Sequence, residues 1–232
     1  MPPKRRQARG DAGPLSRYRA KRHPGRSGEP GGQRVTRRED GHPLQFVVQQ
    51  HDATAMHYDF RLEHDGVLKS WAVPRGPSAD PQVKRLAMPT EDHPLDYASF
   101  EGVIPAGEYG GGPVIVWDTG TWCNETEHNG DPVDAGEALR RGHLRFRLDG
   151  RKLHGAWALT RTGGARGSGS GGDRERWLLV KVNDQFADGR SRAHRLGPES
   201  VRSGRTIAEL DDAKPDGTES DSAGPGDTGP GR

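Results

Sequence analysis

An all-β fold, a sandwich or a barrel, is what this sequence predicts, and three observations predict it. Eight short apolar segments recur between about residues 44 and 186, most of them separated by Gly, Pro, Asp or Asn, which is the pattern of strands punctuated by turns. No stretch sustains a dominant helical apolar period. The 232 residues include 34 Gly and 18 Pro, and only 30% are hydrophobic, so one core cannot fill the whole length. A single domain of about 140–160 residues with disordered ends is expected.

In chain order the expected strands are built on FVV (46–48), HYDFRLEH (57–64), WAV (71–73), LAM (86–88), VIVW (114–117), LRFRL (144–148), GAWALT (155–160) and WLLVKV (177–182). Residues 134–141 form the one candidate short helix. GGARGSGSGG (163–172) reads as a flexible loop. The five tryptophans fall mostly in strand segments and are expected in the core. Gly110, Gly111 and Gly112 are followed by neither Lys-Ser/Thr nor a helix, so they fail the context of a phosphate-binding P-loop and read as a tight loop. Cys123 has no activating neighbour in sequence and is expected as packing.

Charge is graded along the chain. The first 41 residues hold 12 Lys/Arg against 4 Asp/Glu, whereas residues 209–232 hold 2 against 7. The basic end can neutralise backbone phosphates, and the acidic end has almost nothing to bury. No run approaches the ~20 apolar residues of a membrane span, and the N-terminus lacks the apolar stretch of a secretory signal. One cysteine excludes a disulfide framework and a cysteine-rich zinc site, and points to a reducing cytoplasm.

The informative strand is 57–64. Side chains alternate across a strand, so Tyr58, Phe60 and Leu62 share one face and His57, Asp59, Arg61 and Glu63 the other. An imidazole, a carboxylate and a guanidinium in succession can act on phosphate or metal, whereas a merely solvated face would carry a loose mixture of Lys, Thr, Ser and Glu. His51, His57, His64 and His93 cluster nearby in sequence, and two imidazoles with Asp59 suit Mn²⁺, Fe²⁺ or Zn²⁺. Strand parity does not choose between His51 and His57 as a ligand, because residues 53–55 interrupt the alternation. Arginine forks such as Arg61 and Arg85 match phosphate oxygens in pairs; a cross-strand pair between Arg61 and Glu91 is the structural alternative.

Residues 46–122, through the ordered run HDA, HYDFRLE, EDHPLDY and FEGVIPAGEYG, resemble the 3′-phosphoesterase domain of bacterial ligase D, which processes DNA ends in non-homologous end joining. The likeness extends back to residues 15–30 and forward through 155–160, 177–186 and 200–206. It implies a compact single-domain β-barrel with a polar concave active-site face and short helical segments. The divisions it implies are a disordered basic tail (1–14), an N-terminal arm over the active site (15–43), the barrel domain (44–207) and a disordered acidic tail (208–232).

The resemblance also implies that Mn²⁺, with Co²⁺ or Zn²⁺ as possible substitutes, sits on His51, Asp59 and His93. His57 and Arg61 are then implied to engage the scissile phosphate, and Arg85, Glu91 and Tyr97 to line the site. Arg22 and Glu29 of the arm match residues that help the diesterase step. The implied substrate is a DNA primer–template 3′ end carrying a terminal ribonucleotide or a 3′-phosphate. A monomer is expected, served by a separate ligase, polymerase or Ku-like end-binding protein and independent of any membrane. With no polymerase or ligase segment in the sequence, a stand-alone version is expected. Two positions depart from the family pattern: His23 stands where an aspartate is usual, and Arg75 where a lysine is usual. Two rival readings remain. One is a DNA-end-binding module without catalysis. The other is a two-histidine, one-carboxylate iron oxygenase.

Overall fold

The computed structural model describes residues 13–32, 41–163, 175–189 and 196–212. The expected basic tail up to residue 12, the loop from 164 to 172 and the acidic tail from 213 onward lie outside the described residues. Two short helices come first, α1 (Ser16–Lys21) and α2 (Pro24–Ser27). They precede β1 (Leu44–Asp52), β2 (Met56–His64), β3 (Val67–Val73) and β4 (Arg85–Pro89). The short β5 (His93–Pro94), a 3-10 turn (Leu95–Ser99) and β6 (Gly102–Ile104) lead into the long β7 (Gly112–Asn124). A small ribbon of β8 (Glu127–His128) and β9 (Asp131–Pro132) is followed by α3 (Ala135–Arg141). The last described elements are β10 (His143–Gly150), β11 (His154–Gly163), β12 (Arg176–Lys181) and α4 (Ile207–Asp212).

The eight apolar segments of the sequence become the eight staves of a closed antiparallel barrel, in the order β1-β2-β3-β4-β12-β11-β10-β7. Closure comes from β7, whose earlier part pairs with β1 and whose later part pairs with β10. The β1–β7 register slips at Val48/Gln49, a bulge of the kind that sharpens strand curvature. Gly120 sits opposite both Phe46 and Gly150, and a Cβ there would lie 2.0 Å from the Asp149 carbonyl oxygen. Only a bare backbone lets three strands converge so closely.

Inward pleats from all eight staves fill the barrel. All five tryptophans join Phe46, Phe60 and Phe146 in one cluster, each large side chain gaining ~1.5–3 kcal/mol on burial. Asp118 is buried in β7 and accepts from the backbone N–H groups of Arg151, Lys152 and Leu153, which ties down the β10–β11 turn. At one end of the barrel the buried Lys181 ammonium donates to the Ala156 and Val182 carbonyls and to Asp184. The helix expected over 134–141 is α3, its N-cap formed by the Asp134 carboxylate accepting from Glu137 N–H.

Two expectations change. The acidic tail does not begin at residue 208, because Ile207 and Leu210 of α4 bury themselves against Ile115 of β7. Cys123 is exposed on β7 and does not serve as packing. Among the described residues no helix is long and apolar enough to cross a membrane.

A second, smaller core lies outside the barrel wall. Tyr18 of α1, Leu95 and Tyr97 pack over Val47, Leu68 and Val116. Tyr18 donates its hydroxyl to the Pro30 carbonyl at 2.6 Å, and Arg19 reaches Gly32 O at 3.1 Å. Residues 15–32 thus lie against the outer surface of β1–β2–β3, and a hollow forms between wall and arm.

Candidate active site

The outward pleat of β2 carries His57, Asp59, Arg61 and Glu63, as alternation requires. Residues 53–55 form a hairpin turn that preserves parity, so the β1–β2 register sets His51 opposite His57, Gln49 opposite Asp59 and Val47 opposite Arg61. The two imidazoles therefore stand side by side, ring centroids 4.9 Å apart, on the outer wall.

Backbone carbonyls orient both rings. His51 Nε2 lies 2.8 Å from Gly110 O, and His57 Nδ1 lies 2.9 Å from Ala55 O. A carbonyl can only accept, so each neutral ring places its N–H there and leaves its other nitrogen bare. Those bare nitrogens turn toward one carboxylate: His51 Nδ1 is 3.6 Å from Asp59 Oδ2, and His57 Nε2 is 3.8 Å from Oδ1. His51, His57 and Asp59 offer donor atoms within 4.8 Å of one another. Two oriented imidazoles and an acid with outer carbonyl support are what a divalent cation requires. Burial pushes the Asp59 carboxyl up. The Arg61 guanidinium and the two histidines outweigh that and hold it well below the usual carboxylate range.

Gly110 owes its position to a tight loop. The φ of Gly112 is +140°, and a Cβ there would fall 1.9 Å from Asp52 O. No other residue lets the loop lie so close to the strand that carries His51.

Arg61 acts mainly as a girder. Its Nε donates to Gln49 Oε1 and its Nη2 to Asp59, while Nη1 meets Ser70 Oγ and His93 Nδ1. The donations to Gln49, Ser70 and Asp59 leave one N–H on Nη2 for a ligand, while His93 Nδ1 turns its own N–H to the Glu91 carbonyl at 2.8 Å. Arg61 does not pair with the Glu91 side chain. That carboxylate belongs to the arm's cations, with Arg22 at 2.6 Å and Lys21 at 2.9 Å. Burial raises the Glu91 carboxyl, but Lys21 and Arg22 bring it below its ordinary range.

His93 is buried between two guanidinium groups, its Nε2 3.0 Å from Arg22. Burial, then Arg61 and Arg22, push this imidazole well below its usual range, so the ring is neutral. Tyr97 donates to Glu29 Oε1, which also accepts from Arg22 Nε. Burial pushes the Tyr97 phenol well above its ordinary value.

One cavity of about 270 Å³ gathers Arg22, His51, His57, Asp59, Arg61, Glu91, His93 and Tyr97. Glu29 stands one layer behind, touching the cavity's residues through Arg22 and Tyr97. Two expected residues are placed elsewhere. Arg75 is exposed on the turn after β3. Arg85 sits opposite Leu179, on the same pleat side as Ala87, so register turns it toward the barrel interior and away from the outer wall. The expected metal trio also differs from the one the structure gathers, in which His57 stands in place of His93. Sequence reasoning missed Gln49, Ser70, Lys21, Tyr109 and the Gly110 carbonyl. Gln49 was within reach, since it lies two residues from His51 on the same pleat; the others depend on contacts distant in sequence.

These features define a class: an antiparallel barrel with a cation-ready, arginine-flanked pocket on its outer wall, roofed by an N-terminal arm. The family model for the DNA ligase D 3′-phosphoesterase domain matches residues 49–161. The chain is 50% identical over 197 residues to the multifunctional non-homologous end joining protein LigD of Pseudomonas aeruginosa, covering 84% of this chain and 22% of that protein. It is 43% identical over 171 residues to the corresponding DNA repair protein of Mycobacterium tuberculosis, covering 74% and 20%. The chain spans about a fifth of the length of the curated relatives it matches. It belongs to the ligase D 3′-phosphoesterase domain family.

Proposed function

We propose that this domain heals DNA 3′ ends as a metal-dependent phosphoesterase acting in double-strand break repair by non-homologous end joining. It removes a terminal ribonucleoside from a primer strand, leaving a 3′-phosphate, and then removes the phosphate to leave a 3′-hydroxyl. The observation that carries this reading is the pair of bare imidazole nitrogens facing Asp59 beside Arg61, in a chain of this family.

The donor set suits Mn²⁺, with Co²⁺ or Zn²⁺ able to share the same ligands. His51, Asp59 and His93 would hold the ion, His93 through the Nε2 lone pair that now meets Arg22, and the neutral state of this buried ring is the state a ligand needs. When bound, the ion supplies Lewis acidity toward a phosphate oxygen. The remaining Arg61 N–H stabilises charge on a non-bridging oxygen. His57, whose side chain keeps 23% of its surface exposed, stands where substrate enters. On taking up a proton at the Nε2 that Ala55 leaves bare, it would hand that proton to the departing oxygen. In the monoesterase step water attacks phosphorus and the bond to O3′ breaks. In the diesterase step the broken bond leads to O5′ of the leaving ribonucleoside. Arg22, braced by Glu29 and Glu91, holds the phosphate end of the nucleotide under the arm. The partners that follow are a primer–template end and a ligase, polymerase or end-binding protein.

A second reading has its own observation: His57 Nε2 already faces Asp59 at 3.8 Å, which supports His57 as the third ligand, with His93 left to the arginines. Calorimetric Mn²⁺ titration of His57→Ala and His93→Ala separates the two, since only loss of a ligand abolishes binding. The function itself is tested by a product time-course on a primer ending in one ribonucleotide, with Mn²⁺, Co²⁺ and Zn²⁺ in turn. Sequential appearance of 3′-phosphate and 3′-hydroxyl ends is expected. Binding without any product would leave a DNA-end-binding module, and dioxygen uptake with Fe²⁺ and a 2-oxoacid would mark an oxygenase.

A further inference from the structure

Tyr109 is a large aromatic residue left in the open. It lies in the loop between β6 and β7, lines the catalytic cavity and keeps 49% of its surface exposed. Exposing an aromatic ring forgoes the gain of burying it. Yet its placement is firmly fixed. Lys21 Nζ donates to its hydroxyl at 3.0 Å and lies 4.5 Å from the ring centroid, and Arg22 Cζ lies 5.2 Å from that centroid. The loop is fastened on both sides of the tyrosine: Glu108 meets His23 Nδ1 at 3.1 Å, and Gly110 O meets His51. Turn bonds from Glu108 N to Pro105 O and from Gly111 N to Glu108 O stiffen it. Among the described residues no other aromatic ring packs on Tyr109.

The cavity behind it, at about 270 Å³, is smaller than the ~300–1,000 Å³ of pockets that engulf a whole organic ligand. A phosphate and its sugar fill such a volume, and the attached base is left at the lip where Tyr109 stands. We infer that Tyr109 is the platform on which the base of the 3′-terminal nucleotide stacks, and so a positioning residue for the nucleoside-releasing step. This inference rests on the 3′-end-processing reading above. A stacked ring accepts any base, because every base has a π-face, so the site selects for the presence of a base and against none in particular.

The test uses a primer–template whose 3′-terminal nucleotide is 2-aminopurine ribonucleotide, mixed with the protein in the absence of divalent ion so that nothing is cleaved. Stacking quenches the fluorescence. The unmodified protein, Tyr109→Trp and Tyr109→Phe should quench, the last because it keeps the ring while losing the Lys21 bond. Tyr109→Ala should not, and should bind about 5- to 100-fold more weakly. With Mn²⁺ present, Tyr109→Ala should raise KM on the ribonucleotide-ended primer more than it lowers kcat, and that rise should shrink on a primer whose last residue lacks a base. Equal quenching by Tyr109→Ala, or an equal loss on the baseless primer, would overturn the stacking role. If the unmodified protein releases neither nucleoside nor phosphate from any primer, it is the end-processing reading that fails, and the fluorescence result still stands by itself.

Discussion

The two faces of β2 are both buried, and they are buried by different means. Inward, Phe60 and Leu62 meet Phe146 and the tryptophans of a close-packed barrel. Outward, Asp59, Arg61 and Glu63 are nearly as hidden, at 7%, 2% and 2% exposed, under a roof made by residues 15–32 and 91–100. The inward face needs only shape and apolarity, which tolerate conservative change. The outward face must satisfy each charge it buries, since an unpaired one costs far more than a lost contact. Stability resides mainly in the first face and the candidate site in the second, although one strand supplies both.

That division can be broken from either side. Phe60→Ala should cost about 3–5 kcal/mol in chemical denaturation, while the folded fraction binds Mn²⁺ as before. His57→Ala should do the reverse. Removing a charge-stabilising contact commonly lowers turnover ~10²–10³-fold, whereas the partly exposed His57 imidazole lies outside both apolar cores, so the denaturation midpoint should hardly move. A turnover on a 3′-phosphorylated primer equal to that of the unmodified protein would remove His57 from the chemistry.

Acid should find the charged plug at the barrel's end. Burial raises the Asp184 carboxyl, but Lys181 and the N–H groups of Ala156 and Phe186 bring it below its ordinary value. Its folded pKa is therefore lower than its unfolded value of ~3.9. The stabilisation is complete above that value and is lost as pH falls through the folded one. Thermal melting measured downward from pH 6 should fall less steeply in Asp184→Asn, which lacks that titration. Asp118 has the opposite sign, because burial raises its carboxyl; its preference for the fold is greatest in acid and fades as pH rises through the folded value. The smallest effect belongs to the outer surface. Arg147 and Glu125 pair at 2.6 Å, with side chains 46% and 25% exposed, and Arg147→Ala should change stability by at most ~1 kcal/mol.

What could be read in the sequence followed from local alternation. The eight apolar segments, the helix after Asp134 and the two faces of β2 all depend on near neighbours. The β1–β7 closure does not, and neither does the meeting of Arg22 with Glu91, which are 69 residues apart. The turn at 53–55 was visible, but its effect on register was not: a hairpin that conserves parity and one that breaks it can carry the same residues. Arg85 shows the limit of motif reasoning, since a guanidinium suited to phosphate sits on an inward pleat. Tyr109 shows another limit, because exposure belongs to the fold and cannot be read from the residue type.

The proton on His51 is assigned by the main chain of Gly110. A carbonyl survives every side-chain replacement, so no single codon change can delete this acceptor. Tuning the ring electronically therefore requires altering the length or path of the glycine loop, which would also move the aromatic lip. Variation that re-aims the His51 ring should then arrive as insertions or deletions between Pro105 and Gly112, and Tyr109, carried on the same loop, should shift with it.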